Sequence, residues 1–219
     1  MLKWKRCKRC WGLIWIARKI GAEMVQTVKI VPTIYPVILS VPPDARGLPP
    51  KRRVQFLSRH AREALRLSAE RMHVELGPLE KDARGAPLPF EGNFWSLTHK
   101  PEYVGGVVAP EVVGLDLEQV RPCSPALLRK TASKQEWALA EGSESPQTFF
   151  RYWTAKEAVL KTGGEGIKDL SRCRVARIES SARLFVDYAD RTWPVDQFFF
   201  DGHVASIANN GCRVQWLLL

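Results

Sequence analysis

Ser145-Pro146 at one end and Gly163-Gly164 at the other bracket a helix of about four turns, because serine caps a helix, proline opens its first turn and glycine stops it. Short strand-like runs lie on both sides. "NFWSLTH", "YVGGVVA" and "VVGLDLEQV" precede the helix, and "CRVARI", "RLFVDY", "QFFFDGHVASIA" and "CRVQWLLL" follow it. Upstream, "TVKIVPTIYPVILSV" at 27–41 reads as strand with prolines at its ends, and "PPDARGLPP" as a turn. A second helix is predicted over 51–76 from the apolar stripe Val54, Leu57, Ala61, Ala64, Leu65, Met72 and Leu76, stopped by Gly77-Pro78. After "RPCSP", Ser133-x-x-Glu136 reads as a capping box ahead of "WALAE". This order predicts an α+β architecture of two similar-sized halves meeting near residue 110, with no repeat visible in the residues themselves. The domains expected are a basic leader over 1–23, an N-terminal half over 24–110 and a C-terminal half over 111–219.

The chain has 219 residues and a formal charge of +10, and residues 1–23 hold seven Lys/Arg against one acid, Glu23. A polyanionic partner is therefore only weakly argued, and the leader reads as an appendage, with Met24 as an alternative start. Its apolar run "WGLIWIA" falls well short of the ~18 residues of a membrane span and lacks a cleavage pattern, leaving at most an interfacial helix at 11–20. Five scattered cysteines favour a reducing, cytoplasmic setting over a disulfide framework, and Cys7-x-x-Cys10 lacks a second ligand pair for zinc.

In "VVGLDLEQV" Val113, Leu115 and Leu117 point one way and Gly114, Asp116 and Glu118 the other. Two strand steps place the two acids' Cα atoms roughly 6.5 Å apart, within reach of one cation, with Gly114 leaving room beside them. Taken alone, such a pair is ordinarily explained by a solvated outer strand face. Glu157 lies four residues from both Trp153 and Lys161, so the three share a helix face. That arrangement is either an ordinary Glu–Lys pair beside a core tryptophan or a third carboxylate with a lysine poised for an anion. His99 with Thr98, at the end of a strand, is a further candidate for holding a phosphate.

The succession "WSLTH", "VGLDLE", "WTAKEAVLK" and "GEGI" resembles the Sfp-type 4'-phosphopantetheinyl transferases, whose signatures are a strand ending in Ser-His, a G-(I/V)-D-(I/V)-E strand and a W-(S/T)-x-K-E-(A/S)-x-x-K helix. The resemblance spans about residues 50–210. It implies a monomer of two α+β halves related by a pseudo-twofold axis, with coenzyme A bound at their junction. It further implies Mg²⁺, or Mn²⁺ in its place, held by Asp116, Glu118 and Glu157, and transfer of 4'-phosphopantetheine to a serine of an apo acyl, peptidyl or aryl carrier protein with release of 3',5'-ADP. Lys161 would neutralise the phosphates, Thr98 and His99 would contact the nucleotide's phosphate groups, and Lys156 would contact a phosphate or support the site. For the base that takes the serine proton, Glu157, Lys161 and a water at the cation remain alternatives. Glu136 matches a recurrent family glutamate, though its cap explains it sufficiently.

Two departures stand out. Thr98 replaces the usual serine, keeping the hydroxyl, and Gly85-Ala86-Pro87 replaces Gly-Lys-Pro, so that Arg84 is expected to supply the missing cation. Arg59, with Arg53 and Arg62, would add charge from the first helix, a solvated face being the simpler account of each. The rival readings are a Mg²⁺-dependent nuclease and a basic nucleic-acid-binding module. Val120 stands where such a nuclease commonly has its lysine, and neither nucleic acid nor a membrane is an expected partner.

Overall fold

The computed structural model describes residues 31–141, 145–164 and 166–219; the leader, the Cys7-x-x-Cys10 pair, Met24 and the start of the 27–41 strand reading lie outside them. The first half runs β1 (Thr33–Ile34), β2 (Val37–Ser40), α1 (Pro43–Arg46), α2 (Pro50–Arg71), β3 (Phe94–His99) and β4 (Tyr103–Ala109). The second runs β5 (Val113–Gln119), α3 (Pro125–Thr131), α4 (Lys134–Ala138), α5 (Pro146–Thr162), a 3-10 turn (Ile167–Arg172), β6 (Arg174–Ser180), β7 (Arg183–Tyr188), β8 (Arg191–Phe200) and β9 (His203–Asn209), then β10 (Arg213–Val214) and β11 (Leu217–Leu218). Mixed α+β content is thus as expected, and no helix among the described residues is long and apolar enough to cross a membrane.

Two of the sheets carry the helices. The four-stranded sheet is ordered β11-β2-β4-β3 and the five-stranded sheet β5-β9-β8-β7-β6, while β1 pairs with β10. The chain end therefore crosses back: β10 and β11, assigned to the second half by position in the sequence, run parallel to β1 and β2.

Each long helix crosses its sheet over a glycine. A Cβ on Gly106 of β4 would lie 2.4 Å from the Leu65 amide nitrogen of α2, and one on Gly114 of β5 would lie 1.9 Å from the Ala158 carbonyl oxygen of α5. Gly114 was expected to leave room beside the two acids; α5 takes that room. The face it shares with Asp116 and Glu118 is accordingly no solvated outer surface. Gly114→Ala is expected to cost about 2–3 kcal/mol in denaturant unfolding, because a backbone carbonyl cannot swing aside as a side chain can. A cost under about 1 kcal/mol would mean that α5 is free to lift from the strand.

Helix α2 ends at Arg71, short of the expected residue 76. His73 adopts φ 53, and its amide and that of Val74 bond back to Glu70 and Ala69, closing the helix in a Schellman turn. Apolar side chains beyond it still pack inward, Val74, Leu76 and Leu79 against the Leu65–Trp95–Val108 cluster, so the stripe outlives the helix. At α5 the Ser145 hydroxyl accepts the Thr148 amide at 3.1 Å and Pro146 stands in the first turn, as the sequence predicts.

The halves meet at two sheet edges, β3 and β5. The Leu115 amide donates to Ser96 Oγ at 3.0 Å, and its carbonyl accepts Lys161 Nζ at 2.8 Å, so side chains satisfy the strand edge in place of a neighbouring strand. On the other face of β5, Val113 and Leu115 pack with Ile34, Val107 and Ile207, and Leu117 with Ile38 and Ala205.

Candidate active site

A cleft of about 470 Å³ opens at this junction, lined by Thr98, His99 and Lys100 from the end of β3, Asp116 and Glu118 from β5, and Trp153, Glu157 and Lys161 from α5. Strand alternation and the i,i+4 helix repeat, read separately from the sequence, thus deliver their acids to one place. Trp153 is half-buried and stacks on Phe149 with centroids 5.8 Å apart, which ties the Glu157 face of α5 to the main core.

Asp116 is 4% exposed. Its Oδ1 accepts Lys161 Nζ at 2.8 Å and the Thr98 hydroxyl at 3.3 Å, whereas Oδ2 is buried without a hydrogen-bond partner. Thr98, expected on a phosphate, is therefore committed to Asp116. Glu118 Oε1 accepts Lys100 Nζ at 2.6 Å. Among the described residues no three His, Cys, Asp or Glu side chains are close enough together to form a ligand cluster. The three acids share the cleft with two lysines set among them.

Burial first, and then the charge of Asp116, raises the Glu157 carboxyl above its ordinary value, against the pull of Lys161 and Lys100. A carboxyl raised in this way binds its proton more tightly folded than unfolded, so stability falls as pH rises from the usual glutamate range through the raised value. Glu157→Gln is therefore expected to raise Tm at neutral pH, and the gain should vanish as pH is lowered to about 4. A gain that persisted undiminished in acid would have another origin. His99 is exposed as a residue, yet partial desolvation of its ring, with Lys161 and Lys100 nearby, holds the imidazole below its usual value and so neutral at pH 7.

A second cleft of about 440 Å³ shares Leu97 and Lys161 with the first and is lined by Lys81, Arg84, Ala86 and Lys168. Arg84 thus borders a basic hollow next to the acids, its Nε 3.2 Å from Asp82. Lys81 and Lys168 were not singled out from the sequence; Lys168 follows the "GEGI" run directly, which was the one available signal.

Two candidates lie elsewhere. Arg59 is exposed on α2 and borders neither cleft. Lys156, expected on a phosphate or in support of the site, is 1% exposed, with Nζ 2.6 Å from Glu136 Oε1 and 2.7 Å from the Thr131 carbonyl. Glu136 keeps its predicted capping box and also accepts the Val175 amide at 2.9 Å, so this ion pair joins α4, α5 and β6. Val120 packs against the main core. Burial pushes the Cys173 thiol up to about 12 and Cys212 up to about 11, which leaves both unreactive.

Residues 112–208, from the start of β5 nearly to the end of β9, match the model of the 4'-phosphopantetheinyl transferase superfamily. The chain is 32% identical over 116 residues to the 4'-phosphopantetheinyl transferase HetI of Nostoc sp., covering 47% of this chain and 49% of that one. It is 28% identical over 120 residues to the 4'-phosphopantetheinyl transferase psf-1 of Bacillus pumilus, covering 52% of each. The matches span about half the length of these relatives. The matched segment contains Asp116, Glu118, Glu157 and Lys161 but not His99, and over that segment the chain is similar to the 4'-phosphopantetheinyl transferase superfamily.

Proposed function

We propose that this protein transfers 4'-phosphopantetheine from coenzyme A to a serine of an apo acyl, peptidyl or aryl carrier protein, releasing 3',5'-ADP. The observation that carries the reading is the junction cleft that holds Asp116, Glu118, Glu157 and Lys161 beside a basic hollow. The acids suit a hard cation: Asp116 offers a buried oxygen without a partner, and Asp116 and Glu118 both push the Glu157 carboxyl upward. Bound by Asp116, Glu118 and Glu157, Mg²⁺, or Mn²⁺ in its place, would neutralise the pyrophosphate of coenzyme A.

The chain's own groups divide the remaining work. Lys161 donates to Asp116 and to the Leu115 carbonyl, so it acts as a fixed positive charge at the mouth of both clefts and not as a base. Glu157, through a carboxylate oxygen that the cation would leave free, takes the serine proton. As the serine oxygen bonds to the β-phosphorus, the bond to the departing 3',5'-ADP breaks and its charge is met by Lys161 and by the basic hollow of Lys81, Arg84 and Lys168. Neutral His99 supplies a ring nitrogen to the nucleotide end. Charge placement supplies most of what the reaction requires.

The paired helix-over-glycine crossings at Gly106 and Gly114 support a pseudo-twofold relation of the halves, with the site on its axis. A cytoplasmic monomer fits the same reading. The experiment is the mass of purified apo acyl, peptidyl and aryl carrier proteins after incubation with coenzyme A and Mg²⁺. One phosphopantetheine should be gained and EDTA should prevent it; no gain on any carrier by folded protein overturns the reading.

A further inference from the structure

Lys100 reaches from the end of β3 across the junction of the halves to Glu118 on β5, Nζ to Oε1 at 2.6 Å. Its own backbone is fixed, since its amide donates to the Tyr103 carbonyl at 2.8 Å in the turn into β4, so any movement belongs to the side chain alone.

Among the described residues three lysine–carboxylate pairs lie around α5 and β5, and they differ in kind. Lys156–Glu136 is sealed, with side chains 2% and 6% exposed, and Glu136 is further held by two backbone amides. Lys161–Asp116 is sealed on the aspartate side, and Asp116 Oδ2 remains open while Lys161 occupies Oδ1. Lys100–Glu118 is partly solvated on both sides, at 28% and 13% exposure. Partly solvated pairs are weak and exchangeable, and one ammonium competes poorly with a doubly charged ion for a carboxylate.

We propose that Lys100 is a displaceable internal counter-ion of Glu118. In the substrate-free protein it occupies the Glu118 carboxylate in competition with a divalent cation; when coenzyme A arrives it turns toward the phosphates and frees that carboxylate. Lys100 lines the same cleft as Glu157 and Lys161, so once released it presents its charge where the pyrophosphate is expected. Cation and coenzyme A then favour each other's binding through this side chain, beyond the direct attraction between them. Lys100 is a positioning residue in this scheme. The inference rests on the reading of the cleft as a cation site.

The test is the binding of Mn²⁺ alone, followed by the paramagnetic resonance of the free ion, to the wild type, Lys100→Met, Lys100→Gln and Asp116→Asn, with near-ultraviolet dichroism to verify folding. Mn²⁺ should bind the two Lys100 variants at least threefold more tightly than the wild type, and added coenzyme A should tighten Mn²⁺ less in them than in the wild type. A purely structural lysine would not produce this result. Equal or weaker Mn²⁺ binding by the Lys100 variants, with Asp116→Asn still defective, overturns the counter-ion role and leaves the cation site standing. Equal binding by all four proteins, or none by any, overturns the cation site and the role of Lys100 with it.

Discussion

Asp116→Asn should slow carrier-protein phosphopantetheinylation about 1000-fold while melting near the wild-type temperature. The size follows from what the substitution removes: one full charge from a nearly dry position where charge development must be balanced, a setting in which single groups account for factors of about 10²–10³. The fold should survive because the amide keeps the shape of the carboxylate. Its oxygen still accepts the Thr98 hydroxyl, and Lys161 retains the Leu115 carbonyl at 2.8 Å. Asp116 is also the acid whose loss the others cannot cover. Glu118 is the more exposed of the two strand acids and has to give up Lys100 before it can act, and Glu157 is pushed toward its protonated form by the surroundings it shares with them. The measurement is kcat/KM by carrier mass, with melting temperature alongside. A loss of less than about tenfold would place the reacting phosphate away from β5.

What could be read from the residues was set by short-range periodicity. Alternation along β5 placed Asp116 and Glu118 on one face, the caps at Ser145-Pro146 and Gly163-Gly164 framed α5, and the i,i+4 repeat put Glu157 and Lys161 together. The capping box at Ser133 was legible for the same reason. The run "QFFFDGHVASIA", read as one strand-like segment, is two strands, because Asp201-Gly202, both at positive φ, turn the chain from β8 into β9.

What remained illegible depends on long-range placement. Lys100 meets Glu118 only because the β3 edge lies beside β5, a neighbourhood that neither segment encodes. Gly114 looked like space for a cation because nothing local says that α5 passes over it. The return of β10 and β11 to the first sheets was hidden in the same way. The end of α2 fell to a different cause: packing of Leu76 continued the apolar stripe past a backbone that had already turned at His73. Lys156 was legible after all. It sits about 100° around the helix from Glu157, so the two cannot face one ligand as Glu157 and Lys161 do.

That angular argument leads to the largest stability effect expected in this protein. Lys156→Met should destabilise it by about 3–5 kcal/mol, because the substitution leaves the Glu136 carboxylate ionised in a sealed position without its counter-charge. Burial opposes ionisation of Glu136, yet its carboxyl is held below its ordinary value by Lys156 and by the Ser133 and Val175 amides, which shows how far the charged form depends on these partners. Substituting Glu136→Gln in the same protein should recover part of the loss, since it removes the orphaned charge and keeps an acceptor for one of the two amides. Below its melting transition the Lys156→Met protein should bind coenzyme A as the wild type does, the lysine being turned away from both junction clefts. Denaturant unfolding of the two single variants and the double variant, with coenzyme A affinity measured in the cold, decides the matter. A stable Lys156→Met protein with weakened coenzyme A binding would return this lysine to the phosphates and require α5 to rotate when substrate binds.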